Sequence, residues 1–231
     1  MQYLDVLIRS DGSPYKLFGD TECTDHFKSP HSYAKVIVDQ MNGSDIYGRF
    51  LNNKTGLTIL DLGANVGLFS IYASPSASRI VSVEPTPQHV GILKKLTKNI
   101  PNIEIVQEAL SYKNGPVTFY LSGYNTTVNS LFNHHNTGSI IVDGKTLKTL
   151  MDDHNLDMVD FCKIDIEGSE MLSITDKSIS EVSGRIKTIF IEVHPTDSSL
   201  GENVKSIGNI FVRNGYSVEY IGGDTIIAHK L

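Results

Sequence analysis

The stretch Thr58 to Ser70, TILDLGANVGLFS, constrains the chain more than any other. An apolar run (Ile59, Leu60, Leu62) stops at Gly63, Gly67 follows, and Leu68 to Ala73 can continue as a helix. That is the pattern of a buried strand, a tight glycine turn and a helix N-terminus. Glycine has no Cβ and accepts positive φ, so the backbone of such a turn can come close to a ligand. The free N–H groups of the new helix then face whatever lies above the strand. A second apolar run, Val81 to Pro85, ends at Glu84. An acid about 20 positions after the glycine turn is where a doubly wound fold holds ribose hydroxyls. The two features together predict a nucleoside-type cofactor.

The remaining chain predicts strands that alternate with helices. Gln2 to Ile8 and Tyr15 to Phe18 read as a short hairpin, and Tyr33 to Met41 as a helix stopped by Asn42-Gly43. Residues 1–45 form a cap segment too small to be a domain, and residues 46–231 form the main domain. Ile46 to Leu51 predicts a short helix, and Val90, Leu93, Leu96 and Ile100 form an amphipathic stripe. Ile103 to Val106 predicts a third strand, and Val117 to Leu121 alternates like an antiparallel one after Asn114-Gly115. Ser122 to Gly138 is polar and reads as a long loop. Thr146 to His154 predicts a helix, Met158 to Ile164 and Lys187 to Val193 buried strands, and Val204 to Phe211 a helix. Tyr216 to Ile221 and Thr225 to His229 pair across Gly222-Gly223. The result is an α/β sandwich with one antiparallel addition.

Composition excludes several classes. A chain of 231 residues fits one α/β domain with modest additions. A net charge of −6 without a dense Lys/Arg stretch disfavours a nucleic acid partner. Cys23 and Cys162 make neither a disulfide framework nor a cysteine zinc site, and Cys162 reads as a small buried hydrophobe. No run approaches the roughly 18 apolar residues of a membrane span, and the N-terminus has no secretory pattern, so a cytoplasmic location is expected. Oligomeric state is left open.

Ligands of an open parallel sheet bind beyond the carboxyl ends of its strands. There the first strand presents Asp61 and the Gly63 turn, the second Glu84, and the third Glu108. The fourth presents Asp165 and Glu167, and the fifth Glu192 and His194. Any one acid at a strand end is commonly a helix cap; five together point to function. Gly63-Ala64-Asn65-Val66-Gly67 lacks the middle glycine of a dinucleotide turn, and no Lys follows Gly67 as in a P-loop. Adenosine with a sulfonium and an amino-acid tail suits the acids better, since carboxylates can take hydroxyls, an ammonium and an amine. A nucleotide-dependent oxidoreductase and a non-catalytic binding protein are the alternatives on this frame.

DLGANVGLFS, VEPTPQ, KIDIEGSE and IEVHP, spread from about Leu57 to Val193, resemble the FkbM family of S-adenosylmethionine-dependent O-methyltransferases. The resemblance implies a Rossmann-like class I methyltransferase sandwich, with a mostly parallel seven-stranded sheet and an antiparallel C-terminal hairpin strand. It implies that Asp61, Gly63, Ala64, Asn65 and Gly67 form the methionine-side loop. Asn65 stands where many class I methyltransferases have glycine. Glu84 would take both ribose hydroxyls, Pro85 wall the adenine, and Glu108 with Ala109 sit beside its amine. Asp165 would stand where the methyl meets a hydroxyl on a small molecule or sugar. Asp165, Glu167, Glu192 and His194 are the candidate bases, His194 having the unperturbed pKa nearest neutrality. Glu167 could instead pair with Lys163, and Glu170 is expected to lie in the following helix and not to act. A divalent cation on the same acids is an alternative that the spacing does not demand.

Overall fold

A computed structural model describes residues 7–8, 14–15, 46–121, 129–131, 138–196 and 199–231. The helix expected at Tyr33 to Met41 and most of the polar stretch 122–138 lie outside those residues. Two short strands, β1 (Leu7–Ile8) and β2 (Pro14–Tyr15), pair antiparallel, as the N-terminal hairpin pattern requires.

The main sheet is built on β3 (Leu57–Leu62). Parallel to it run β4 (Ala77–Val83) on one side and β9 (Val159–Ile164) on the other. Beyond β4 lies β5 (Ile103–Val106). Beyond β9 lie β10 (Ile186–Glu192), β12 (Thr225–Lys230) and β11 (Tyr216–Ile221). The strand order is β11-β12-β10-β9-β3-β4-β5, and β12 alone enters antiparallel to both of its neighbours. This is the expected seven-stranded α/β sheet with its C-terminal hairpin. The order reverses at β3, where neighbouring connections leave to opposite sides and open a crevice at the strand ends.

The central strands are mostly apolar because both faces are covered. Leu60, Leu62, Val81, Val83, Cys162, Ile164, Ile189 and Ile191 enter one core layer. Residues of opposite parity, Ile59, Ile80, Phe161, Phe190 and Ile227, enter the other. Period-two alternation therefore serves two cores at once, and each fully buried aliphatic contributes about 1.5–3 kcal/mol. The first layer packs under α4 (Leu147–Asp153), α6 (Asp176–Ser180) and α7 (Leu200–Arg213) through Leu147, Leu150, Ile179, Ile207 and Phe211. The second packs under α1 (Gly48–Leu51) and α2 (Leu68–Ala73). Cys162 is buried in the first layer as a hydrophobe, and burial pushes its thiol pKa up.

Helix boundaries follow from local chemistry. Ser199 and Glu202 close a capping box that starts α7. Thr146 caps α4 by accepting the Thr149 N–H. Pro87 opens α3 (Pro87–Leu96) at a position where no amide donor is needed. The stretch after Gly168 makes two short helices, α5 (Glu170–Ser173) and α6.

One feature is absent from the sequence expectation. β8 (Gly138–Lys145) pairs antiparallel with β7 (Gly115–Leu121) and parallel with β6 (Ala109–Leu110), making a separate three-stranded sheet. Ala109, Val117, Phe119 and Val142 form its small core. The sheet is bound to the turn after β9: the Leu131 N–H donates to Ser169 Oγ at 2.9 Å, and the Ser130 and Ser169 hydroxyls lie 3.3 Å apart.

Candidate active site

A cleft of about 1210 Å³, counting space open to solvent, lies at the carboxyl ends of β3, β4, β9 and β10. Glu84, Glu108, Asp165, Glu167 and Glu192 all line it, so the topology gathers the acids of four strand ends at one edge. Gly63, Ala64 and Asn65 form its floor, with Val83, Pro85, Leu110 and Phe119 as apolar walls. Asp61 and His194 are not on its surface.

The glycine turn holds its shape through strand-end bonds and tight contacts. The Gly63 and Ala64 N–H groups both donate to the Val83 carbonyl at 3.0 Å. Gly63 has φ +79, and a Cβ there would lie 1.8 Å from the Asp165 carbonyl oxygen. Asn65 is also left-handed, at φ 51, which asparagine tolerates better than most residues. Glu84, buried at the end of β4, accepts the Asn65 N–H on Oε2 and the Thr86 N–H on Oε1, each at 2.9 Å. His89 Nδ1 stands 3.3 Å from Oε1.

Asp61 lies beneath the floor, where strand alternation directs it into a fully buried layer. Its Oδ2 accepts the Ser70 hydroxyl at 2.5 Å, and Ser70 in turn meets Ser82 at 2.7 Å. Burial raises its pKa, and Lys163 opposes the rise. The Lys163 ammonium sits 3.9 Å from Asp61 Oδ1 and 3.1 Å from Asp165 Oδ2. Lys163 thus pairs with the two aspartates and not with Glu167. Glu108 faces Lys145 at 3.9 Å and His154 at 3.6 Å behind the cleft wall.

The acids of β9 and β10 converge on His194. Its Nδ1 lies 3.0 Å from Glu170 Oε1. Its Nε2 lies 3.3 Å from Glu167 Oε2 and 3.9 Å from both Asp165 Oδ1 and Glu192 Oε1. Burial alone would lower the imidazole pKa, but the hydrogen bond and charge of Glu170, with Glu167 and Asp165, outweigh it and hold it up to about 10. These acid neighbours favour the protonated ring. Burial pushes the Glu167 carboxyl up to about 8, Asp165 adding to the rise and His194 opposing it. Glu192 is likewise raised, first by burial. Asp165, Glu167 and His194 offer atoms within 4.8 Å of one another, a spacing that a divalent cation could use.

Glu167 has φ 54 in a turn where Gly168 follows at φ 95. A left-handed glutamate costs about 1–2 kcal/mol, and such strain is commonly kept where a side chain must be aimed.

The sequence of residues 61–218, more than half of the chain, matches the family described as the methyltransferase FkbM domain. The chain belongs to the FkbM methyltransferase family. Its cofactor is S-adenosylmethionine. Among curated proteins it is similar to AMB antimetabolite synthetase AmbE of Pseudomonas aeruginosa, with 24% identity over 83% of this chain. The match spans 11% of that much longer protein. Among solved structures it resembles the precorrin-6y C5,15-methyltransferase of Geobacter metallireducens, with TM-score 0.51 and 18% identity, covering 81% of this chain and 87% of that one. It also resembles the magnesium protoporphyrin IX methyltransferase of Synechocystis PCC 6803, solved with bound SAM, with TM-score 0.52 and 12% identity, covering 93% and 88%. These likenesses agree with the FkbM fold.

The FkbM cleft fits the cofactor's chemistry: a glycine turn opens the floor, a buried carboxylate borders it, and apolar walls suit a purine. Several lining residues carry no motif of their own in the sequence. Tyr47 packs tilted between Phe69 and Phe190, with ring centroids 4.8 and 4.7 Å away, and burial raises its phenol pKa, so it stays a donor. His89, Phe119, Asn129 and Ser169 also reach the cleft. Of these, Ser169 lies within the KIDIEGSE motif, and the other three lie outside the quoted motifs. Among the described residues no helix is long and apolar enough to cross a membrane.

Proposed function

We propose that this FkbM protein methylates a hydroxyl group of a small molecule or sugar. A neutral hydroxyl is a poor nucleophile and must lose its proton as it attacks, whereas a free amine need not. The observation that carries the reading is Glu167: a carboxylate aimed into the cleft by a left-handed backbone, with its pKa raised toward the working range of a general base. Asp165 is already paired with Lys163, which weakens it as a base, and Glu192 is the more exposed acid.

In this reading Gly63, Ala64, Asn65 and Gly67 shape the methionine side of the cofactor site. Glu84 takes the two ribose hydroxyls, Pro85 walls the adenine, and Glu108 with Ala109 borders its amine. Asp61 acts from below, by fixing Lys163 and hence Asp165. Bound there, S-adenosylmethionine supplies an electrophilic methyl whose carbon–sulfur bond breaks with the electron pair left on sulfur. Asp165 and Glu192 border the path of the acceptor, and Glu167 accepts the hydroxyl proton as the new carbon–oxygen bond forms. Holding the oxygen in line with the methyl is the larger part of the catalysis. The likeness to a stretch of a protein named for antimetabolite synthesis supports a small-molecule acceptor.

The test uses methyl-labelled S-adenosylmethionine and paired acceptors, sugars and polyols beside analogues with an amine in place of each hydroxyl. Label on oxygen, lost when the hydroxyl is removed, is expected. Label carried by the amine analogues alone would overturn the hydroxyl assignment.

A further inference from the structure

A serine that opens a helix normally puts its side-chain oxygen on an amide of that helix's first turn. Ser169 opens α5 and makes no such bond. Its oxygen serves a different part of the chain: it accepts the Leu131 N–H at 2.9 Å and lies 3.3 Å from the Ser130 hydroxyl. The strip Asn129–Leu131 is held from its other side as well. Ser130 exchanges both backbone hydrogen bonds with Tyr120 of β7, at 2.8 and 3.1 Å. The Leu131 side chain packs on the small core of Ala109, Val117, Phe119 and Val142. Asn129, Ser130 and Ser169 are all buried. Apolar contacts alone would let this seam slide, whereas a directional bond to one buried oxygen fixes a single register.

This seam borders the cleft. Phe119, Asn129 and Ser169 line it, and Ser169 lies two positions after Glu167. The strip therefore stands beside the turn that carries Asp165 and Glu167. The glycine turn and Glu84 belong to β3 and β4, and Ala109 follows β5 directly, so the cofactor's own contacts are set by the main sheet. We propose that the Asn129–Leu131 strip is the acceptor-specificity wall of this site. Asn129 contacts the acceptor, and Ser169 is the positioning residue that keeps the strip in register with Glu167. The inference rests on the hydroxyl-methylation reading above. An amide side chain both donates and accepts, as does each hydroxyl of a polyol or sugar, so Asn129 suits a hydroxyl next to the one that is methylated.

The experiment begins with hydrogen exchange of the Leu131 amide, followed by NMR in protein loaded with S-adenosylhomocysteine. Wild type should protect this amide. Ser169→Ala should speed its exchange by about 5–100-fold, the effect of leaving an amide without its acceptor. Ser169→Thr keeps the oxygen and should restore protection, and all three proteins should bind S-adenosylhomocysteine alike. Steady-state rates with the acceptor identified by methyl labelling then separate KM from kcat. Ser169→Ala and Asn129→Leu should each raise KM for the acceptor by about 5–100-fold, the signature of lost ground-state contacts, with KM for S-adenosylmethionine unchanged. Ser169→Thr should behave as wild type. A Leu131 amide that exchanges freely in wild type overturns the proposal even if the variants do not fold. So does a wild-type acceptor KM in Ser169→Ala, or a loss in Asn129→Leu that falls on S-adenosylmethionine instead. If no hydroxyl compound is labelled, the hydroxyl reading fails, and exchange at Leu131 still decides whether Ser169 holds the strip.

Discussion

Gly63→Ala is expected to abolish measurable binding of S-adenosylhomocysteine and to lower the thermal midpoint of unfolding. Gly63 has φ +79, and its added Cβ would lie 1.8 Å from the carbonyl oxygen and 2.8 Å from the carbonyl carbon of Asp165. Both contacts are backbone, so no rotamer change relieves them. Either the turn after β3 or the turn after β9 must move, and the cofactor floor and Asp165 separate. The left-handed conformation and the overpacking together cost about 2–5 kcal/mol. Gly67→Ala makes an informative comparison. Its backbone is also left-handed, at φ +90, but its Cβ meets Leu93 Cδ1 at 2.0 Å, the end of a side chain that can rotate. The Gly67 variant should therefore lose less affinity in the same titration. Binding by Gly63→Ala as tight as that of wild type would show that the contact of the two turns is not what shapes the site.

Glu167→Gln is expected to lower kcat by about 10²–10⁴-fold, the usual worth of a positioned general base, with KM for S-adenosylmethionine nearly unchanged. The charged form of Glu167 is the active one, so the wild-type rate should rise with pH as its proton leaves, around pH 8. In Glu167→Gln the rising limb should vanish. Steady-state rates across pH with the acceptor found by the labelling experiment would check both points. A variant that retains both the rate and the rising limb would move the base to Glu192 or Asp165.

The parts of this fold that could be read from sequence are those set by short-range pattern. β3, β5 and the C-terminal hairpin are bounded by glycine, proline or Asn-Gly signals, and burial on both faces makes the central strands continuous apolar runs. β8 is different. Its apolar centre is only Ile140, Ile141 and Val142, with Ile141 facing outward beside Ser139 and Asp143, and its partner β7 lies across a long polar stretch. Its pairing is a tertiary event that no local periodicity announces.

The site divides the same way. Parallel topology puts all strand ends on one edge, so the acids that meet there were legible. Their partners were not, because pairing depends on which face each side chain takes. Asp61 and Lys163 face each other on adjacent strands, and this register draws Lys163 away from Glu167. The intrinsic pKa of His194 lies near neutrality, and Glu170, Glu167 and Asp165 raise it. Glu170 begins a helix of four residues, too short for periodicity to show whether it faces water or the core.

Calorimetric titration of the purified protein with S-adenosylhomocysteine, beside NADH, tests the central claim most directly. The account predicts saturable binding of S-adenosylhomocysteine and no heat with NADH, since the turn lacks the middle glycine that lets a pyrophosphate approach. Binding of NADH alone would contradict it and return the cleft to an oxidoreductase.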